Sequence, residues 1–186
     1  EWDTSRNLKF LPLHKEWEND RACFGQAFGY ERPLYFNKKD NDKLTFDKPF
    51  WFENVKNEVL ATSKNIGLLE QSSFGKIEVS GKQAENELNK ICTNDLSIKP
   101  GKVKYSLILD KYGGIQTDLI VVRLNEDLYR LYVGTNSIKK NISLLNQYIN
   151  EKTNLKICDV TDRYAIIGIM GPQSRALLEC LNCGWL

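Results

Sequence analysis

From Phe74 onward, apolar and polar residues fall into short regular periods. Residues 75–80 (G-K-I-E-V-S) alternate in twos, which predicts a strand. Gly81 breaks that period, and Ala84, Leu88 and Ile91 then share one face of a helix over 82–91. Two alternating runs, 103–109 and 115–124, flank Asp110-Lys111-Tyr112-Gly113-Gly114. The paired glycines supply the positive backbone angles that a tight hairpin needs. A turn at 125–127 leads into a third strand over 128–133. Residues 137–148 place Ile138, Ile142, Leu145 and Tyr148 on one side of a helix. Strands follow at 155–160 and 165–170; the second is nearly all apolar and so is expected to lie centrally in its sheet. Gly171-Pro172 opens a last helix through Leu178, with proline tolerated in the first turn. The order β-α-β-β-β-α-β-β-α predicts an α+β fold: an antiparallel sheet with helices on one face, close to a split β-α-β arrangement.

The first 48 residues lack such a period. Trp2, Trp17, Phe24, Phe28, Tyr30, Tyr35 and Phe36 are scattered, Gly25 and Gly29 interrupt any helix, and Arg32-Pro33 keeps the chain extended. The expectation is an aromatic-rich connecting arm over 1–48, with an exposed loop of alternating charge at 37–48. A helix then starts at Pro49-Phe50-Trp51-Phe52, carries Val55, Val59, Leu60 and Ile66, and stops at Gly67. Leu68-Leu69 and a polar Gln71-Ser72-Ser73 connect it to the periodic part.

The 26 basic and 24 acidic residues leave a formal net charge of +2 in 186 residues, so no electrostatic case exists for nucleic acid or an anionic membrane. No apolar run approaches the ~20 residues that span a bilayer. Five scattered cysteines read as free thiols. Cys180-Leu-Asn-Cys183 has redox or metal spacing, but no second pair or nearby histidine completes a site. His14 reads as a solvated or locally bonded imidazole. No Gly-x-Gly-x-x-Gly follows a strand, and neither a phosphate loop nor a nucleophile elbow is present.

Chemistry concentrates between Cys92 and Asp118. An Asn94-Asp95 corner follows a helix, and a strand bearing Tyr105 follows the corner. Asp95 has two readings: a carboxylate forming one wall of a ligand pocket, or a turn-stabilising Asx residue. Tyr105 either lines that wall or packs across the strands. Gly114 and Ile115 either admit a ligand close to backbone or simply close the hairpin. Asp118 is a weaker candidate.

Six segments, in order, carry a resemblance. Phe28-Gly29-Tyr30-Glu31-Arg32-Pro33, Ser72-Ser73-Phe74-Gly75-Lys76 and Thr93-Asn94-Asp95-Leu96 are the first three. Pro100-Gly101-Lys102-Val103-x-Tyr105, Gly113-Gly114-Ile115-x-x-Asp118-Leu119 and Ile169-Met170-Gly171-Pro172-x-Ser174-Arg175 complete the set. Together they resemble the folate-binding, aminomethyltransferase-like domain of the glycine-cleavage T protein family, in the form found in dimethylglycine and sarcosine dehydrogenases. The resemblance implies the first half of that domain over 49–186, with the 1–48 arm leading from a flavin oxidoreductase domain in cis that holds FAD. It implies tetrahydrofolate as the one-carbon acceptor and an N-methyl amine as the oxidised substrate. Asp95 is implied as the catalytic aspartate, with Tyr105, Gly114 and Ile115 joining it as folate-binding residues. The implied location is the bacterial cytoplasm or the mitochondrial matrix. Two other members of the family fit the same motifs: an aminomethyltransferase acting on a lipoyl carrier, and a regulatory relative without this catalysis.

Overall fold

The computed structural model describes residues 3–37, 39 and 45–181. Its elements, in chain order, begin with α1 (His14–Asn19), β1 (Cys23–Ala27), β2 (Tyr30–Tyr35), α2 (Phe52–Lys64) and β3 (Gly67–Glu70). They continue with β4 (Gly75–Ser80), α3 (Ala84–Ile91), β5 (Val103–Leu109), β6 (Ile115–Asn125) and β7 (Leu128–Val133). The last four are α4 (Ile138–Tyr148), β8 (Lys156–Asp159), β9 (Ile167–Met170) and α5 (Ser174–Cys180). Two compact units result, one spanning Ser73–Tyr164 and the other Glu1–Ser72 with Ala165–Leu186.

In Ser73–Tyr164 the five strands run β5-β6-β7-β4-β8, antiparallel throughout. The period-two alternation becomes two faces. Ile77 and Val79, Leu119 and Val121, and Tyr129, Leu131 and Val133 point one way. They pack with Ala84 and Leu88 of α3 and Leu145 of α4 into one core. Both helices therefore cover the same face, as the hydrophobic pattern predicts. The other face keeps Val103, Tyr105 and Ile120 exposed. Arg130 there pairs with Glu78 at 2.6 Å and lies 3.7 Å over the Tyr164 ring. Lys76 is fully buried, and its ammonium donates to the carbonyls of Phe74 (3.1 Å) and Thr161 (2.9 Å).

The other unit corrects two expectations. Residues 23–35 are not an irregular arm but a hairpin, turned at Phe28 (φ 54°) and Gly29 (φ 86°). Gly25 lies within it because a Cβ there would sit 2.9 Å from Leu34. Glu31, 1% exposed, accepts from Arg6 Nη2 at 2.6 Å and from the Asn7 amide at 2.6 Å. His14 lies between the rings of Phe10 and Phe24, with Glu18 at 3.5 Å on the next helical turn. The second correction concerns 165–170. Among the described residues β9 pairs only with β3, in a two-stranded ribbon, so its apolar run is not central there. Ile167 and Met170 are exposed. Residues 38 and 40–44 of the 37–48 loop, and Cys183 of the C-x-x-C pair, lie outside the described residues. Among the described residues no helix is long and apolar enough to cross a membrane.

Candidate active site

The Asn94-Asp95 corner forms because α3 ends at Ile91 and the chain turns extended at Cys92. It then runs beside β5. Cys92 bridges to Ile108, and the Thr93 amide donates to Leu107 O at 2.9 Å. Thr93 Oγ1 accepts the Leu107 amide at 3.2 Å. Ser106 Oγ, on a buried side chain, accepts the Asn94 amide at 3.1 Å, and Asn94 Nδ2 donates to Tyr105 O at 3.0 Å. On the far side of Asp95, Leu96 is fully buried in the core. Its amide donates to Asn89 Oδ1 at 2.7 Å, and its carbonyl accepts the Tyr129 hydroxyl at 3.2 Å. Arg123, paired with Glu85 at 2.6 Å, donates to Ile98 O at 2.8 Å. Asp95 is thus an exposed residue on a backbone fastened from both sides.

Its carboxylate accepts the Ser97 amide at 2.9 Å. That bond, then the Ser97 hydroxyl, and to a smaller degree the charge of Lys104, hold the carboxyl below the usual range. The Asx turn is therefore formed, and the carboxylate that makes it is exposed. The neighbouring Cys92 is buried, and burial pushes its thiol up to about 11, which disfavours the thiolate at neutral pH. Among the described residues no group of three or more His, Cys, Asp or Glu gathers to hold a metal.

Tyr105 is 57% exposed, and its hydroxyl lies 3.5 Å from Asp118 Oδ2. Through Asn94, its backbone is bonded to the segment that carries Asp95. Asp95, Tyr105 and Asp118 therefore belong to one neighbourhood. Gly114 and Ile115 do not. Ile115 pairs with Leu109, about 13 Å along β5 from Tyr105. The close approach at Gly114 is taken by Asp110, whose Oδ2 would sit 2.7 Å from an added Cβ. Asp110 accepts the amides of Tyr112 (2.8 Å) and Gly114 (2.9 Å), so the glycine serves the hairpin itself. An open cleft of about 710 Å³ lies at that end, lined by Lys90, Thr93, Asp110, Tyr112, Gln147 and Tyr148.

Sequence reasoning missed Ser106, Asn89 and Ser97. Ser106 left a usable signal: a hydroxyl at the core-facing parity of β5, two residues before Ile108. Asn89 left none, because an asparagine on a short helix reads as surface.

The GCVT N-terminal domain family matches residues 13–183. The pyruvate dehydrogenase phosphatase regulatory subunit, mitochondrial, of Mus musculus is 30% identical over 97% of this chain and 22% of its own length. The 4-methylaminobutanoate oxidase (formaldehyde-forming) of Paenarthrobacter nicotinovorans is 30% identical over the same shares, 97% and 22%. An aminomethyltransferase of Thermosipho melanesiensis is 28% identical over 81% of this chain and 41% of its own. The crystal structure of glycine cleavage system aminomethyltransferase T from Bartonella henselae superposes with a TM-score of 0.76 at 26% identity. It covers 93% of this chain and 43% of that one. The chain thus spans less than half the length of each of these relatives. With the α+β sheet, its one-sided helices and the Asn-Asp corner all in place, this aminomethyltransferase-like chain belongs to the GCVT N-terminal domain family.

Proposed function

We propose that the chain is a tetrahydrofolate-binding module of a longer enzyme that oxidises an N-methylated amine with a flavin held in another domain. The module captures the released one-carbon unit as methylenetetrahydrofolate. The observation that carries this reading is the Asp95 corner: an exposed carboxylate, on a fastened backbone, that stays ionised at neutral pH. Similarity to a formaldehyde-forming oxidase over 97% of this chain supports the amine-oxidising context.

Tetrahydrofolate, when bound, would supply a ring-nitrogen lone pair to an iminium-type carbon or formaldehyde, whose C=N or C=O electrons pass to nitrogen or oxygen. That atom would leave as amine or water with the two folate N–H protons as the second folate nitrogen closes the methylene bridge. The lowered pKa of Asp95 makes it a weak base, so it accepts a hydrogen bond from the folate nitrogen and offsets developing positive charge. Tyr105 presents an exposed ring on the adjoining strand, where a flat heterocycle can rest. Gly114 and Ile115, at the other end of β5, contribute only to a more distant part of the ligand. Residues 1–48 lead from the flavin domain.

In the parent enzyme, Asp95→Ala is expected to leave amine oxidation near normal while abolishing folate-dependent product. An unchanged methylenetetrahydrofolate yield contradicts the proposal. Similarity to the phosphatase regulatory subunit supports a second reading, a folate-fold module without catalysis. Under it, Asp95→Ala changes no reaction at all.

A further inference from the structure

The β5–β6 register sets Tyr105 opposite Ile120 and Leu107 opposite Asp118. Tyr105 and Asp118 are therefore diagonal neighbours on one face of the sheet, within reach of a long side chain. The Tyr105 hydroxyl donates to Asp118 Oδ2 at 3.5 Å. Among the described residues that is the only hydrogen bond to the Asp118 carboxylate, and no ion pair engages it. The other aspartates between Cys92 and Asp118 are committed to backbone. Asp95 accepts the Ser97 amide, and Asp110 accepts the amides of Tyr112 and Gly114 together with Gln116 Nε2. Asp118 is thus the one acid of this stretch whose oxygens are left to a side-chain hydroxyl. Both Tyr105 and Asp118 are exposed.

We propose that the Tyr105 hydroxyl carries protons in the folate site, with Asp118 as the positioning residue that orients it and takes up its hydrogen. The inference rests on the reading of this corner as a folate site. Capture of the one-carbon unit moves two N–H protons to the departing amine or water. Asp95, a weak base, is suited to stabilising charge rather than to that transfer. A phenol oxygen can accept one proton while releasing another. A proton arriving at Tyr105 Oη from a ligand N–H is matched by passage of the hydroxyl hydrogen to Asp118 Oδ2. The reverse movement restores phenol and carboxylate and delivers the proton to the departing oxygen or nitrogen, so no charge is left behind. The 3.5 Å separation is long for such a transfer, but acid–base pairs without ligand are often loose and tighten when a ligand closes on them.

The first test needs no ligand. In the full chain, the carbon-13 NMR resonance of Tyr105 Cζ is expected to move in Asp118→Ala, with amide spectra reporting that the variant remains folded. A Tyr105 resonance left in place overturns the pair. The second test uses the parent enzyme. Tyr105→Phe keeps the ring, so KM for tetrahydrofolate is expected to hold while kcat for folate-dependent product falls about 100-fold, the usual scale of a lost acid–base group. Asp118→Ala is expected to do the same, and the double variant to be no slower than either single one. Full turnover in Tyr105→Phe, or full additivity in the double variant, overturns the relay. Product lost in Asp95→Ala but kept in Tyr105→Phe removes the relay alone. Product kept in both removes the folate reading as well.

Discussion

Tyr129→Phe removes one oxygen from the centre of the Ser73–Tyr164 unit. Tyr129 is fully buried, and its hydroxyl bonds Leu96 O at 3.2 Å and Glu85 Oε2 at 3.3 Å. Glu85 keeps its Arg123 partner at 2.6 Å after the change. The Leu96 carbonyl loses its hydroxyl donor, and a buried acceptor left unsatisfied costs about 1–3 kcal/mol. The ring still fills its space, so we expect a loss of about 2 kcal/mol at neutral pH. Alkaline pH supplies an internal control. Burial pushes the Tyr129 phenol up to about 12, from an ordinary value of about 10. A raised value means the fold favours the neutral phenol. That contribution is whole below about pH 10 and is lost as pH climbs through about 12, at up to about 3 kcal/mol for two pH units. Phenylalanine has no such limb, so the wild-type advantage should shrink toward zero between those values. The assay is urea unfolding followed by far-ultraviolet circular dichroism. Tryptophan emission is unsuitable, because Trp2, Trp17, Trp51 and Trp185 all lie outside Ser73–Tyr164. A neutral-pH difference below about 0.5 kcal/mol, or a difference unaltered up to about pH 12, refutes the reasoning.

Two further outcomes follow from the other unit. Glu31→Ala should cost about 3 kcal/mol, the low end for stripping one partner from a buried pair, read by urea unfolding. Arg6 holds the Glu31 carboxyl below its usual range. Its stabilisation is therefore full above the unfolded value of about 4.3 and is lost as pH falls through the lower folded one. The amides of Tyr30–Tyr35 should exchange faster in that acid window in wild type and show no such transition in the variant. Gly171→Ala should cost about 2 kcal/mol or more. Gly171 has φ +114°, and a Cβ would lie 2.5 Å from Thr62 O and against Asn65 O. Amide exchange in β3 and β9 should accelerate first.

The Ser73–Tyr164 fold was legible because its signals are local. Alternation marks β4 to β7, Gly113-Gly114 closes the hairpin, and α3 and α4 each show one apolar face. What escaped needed partners far along the chain. β3 is four residues, Gly-Leu-Leu-Glu, without alternation, and becomes a strand only by pairing with β9, where Gly67 faces Met170. The β1–β2 hairpin was hidden because Gly25 and Gly29 read as helix breakers and Arg32-Pro33 only as an extended stretch, with no alternation between them. There Gly25 makes room for Leu34, and proline sits in a two-stranded ribbon, where every strand is an edge strand. At the site, Asp95 and Tyr105 were readable as a corner and a strand. Their separation from Gly114 and Ile115 was not, because nearness in a motif hides the length of the strand between.

The chain leaves β3 and returns at β9, and the two are antiparallel neighbours: Gln71 N–H bonds Ile166 O at 2.8 Å, and Ile166 N–H bonds Ser72 Oγ at 2.8 Å. Everything from Ser73 to Tyr164 is consequently a loop closed by a four-residue stem. As a floppy loop of roughly ninety residues it would charge that stem about 4 kcal/mol in closure entropy. An isolated two-stranded ribbon has little with which to oppose such a term. Once the insert is folded its ends are held together, and the term largely vanishes. The ribbon is therefore conditional on the insert through chain closure alone, so substitutions that unfold the insert should surface as fraying of β3 and β9.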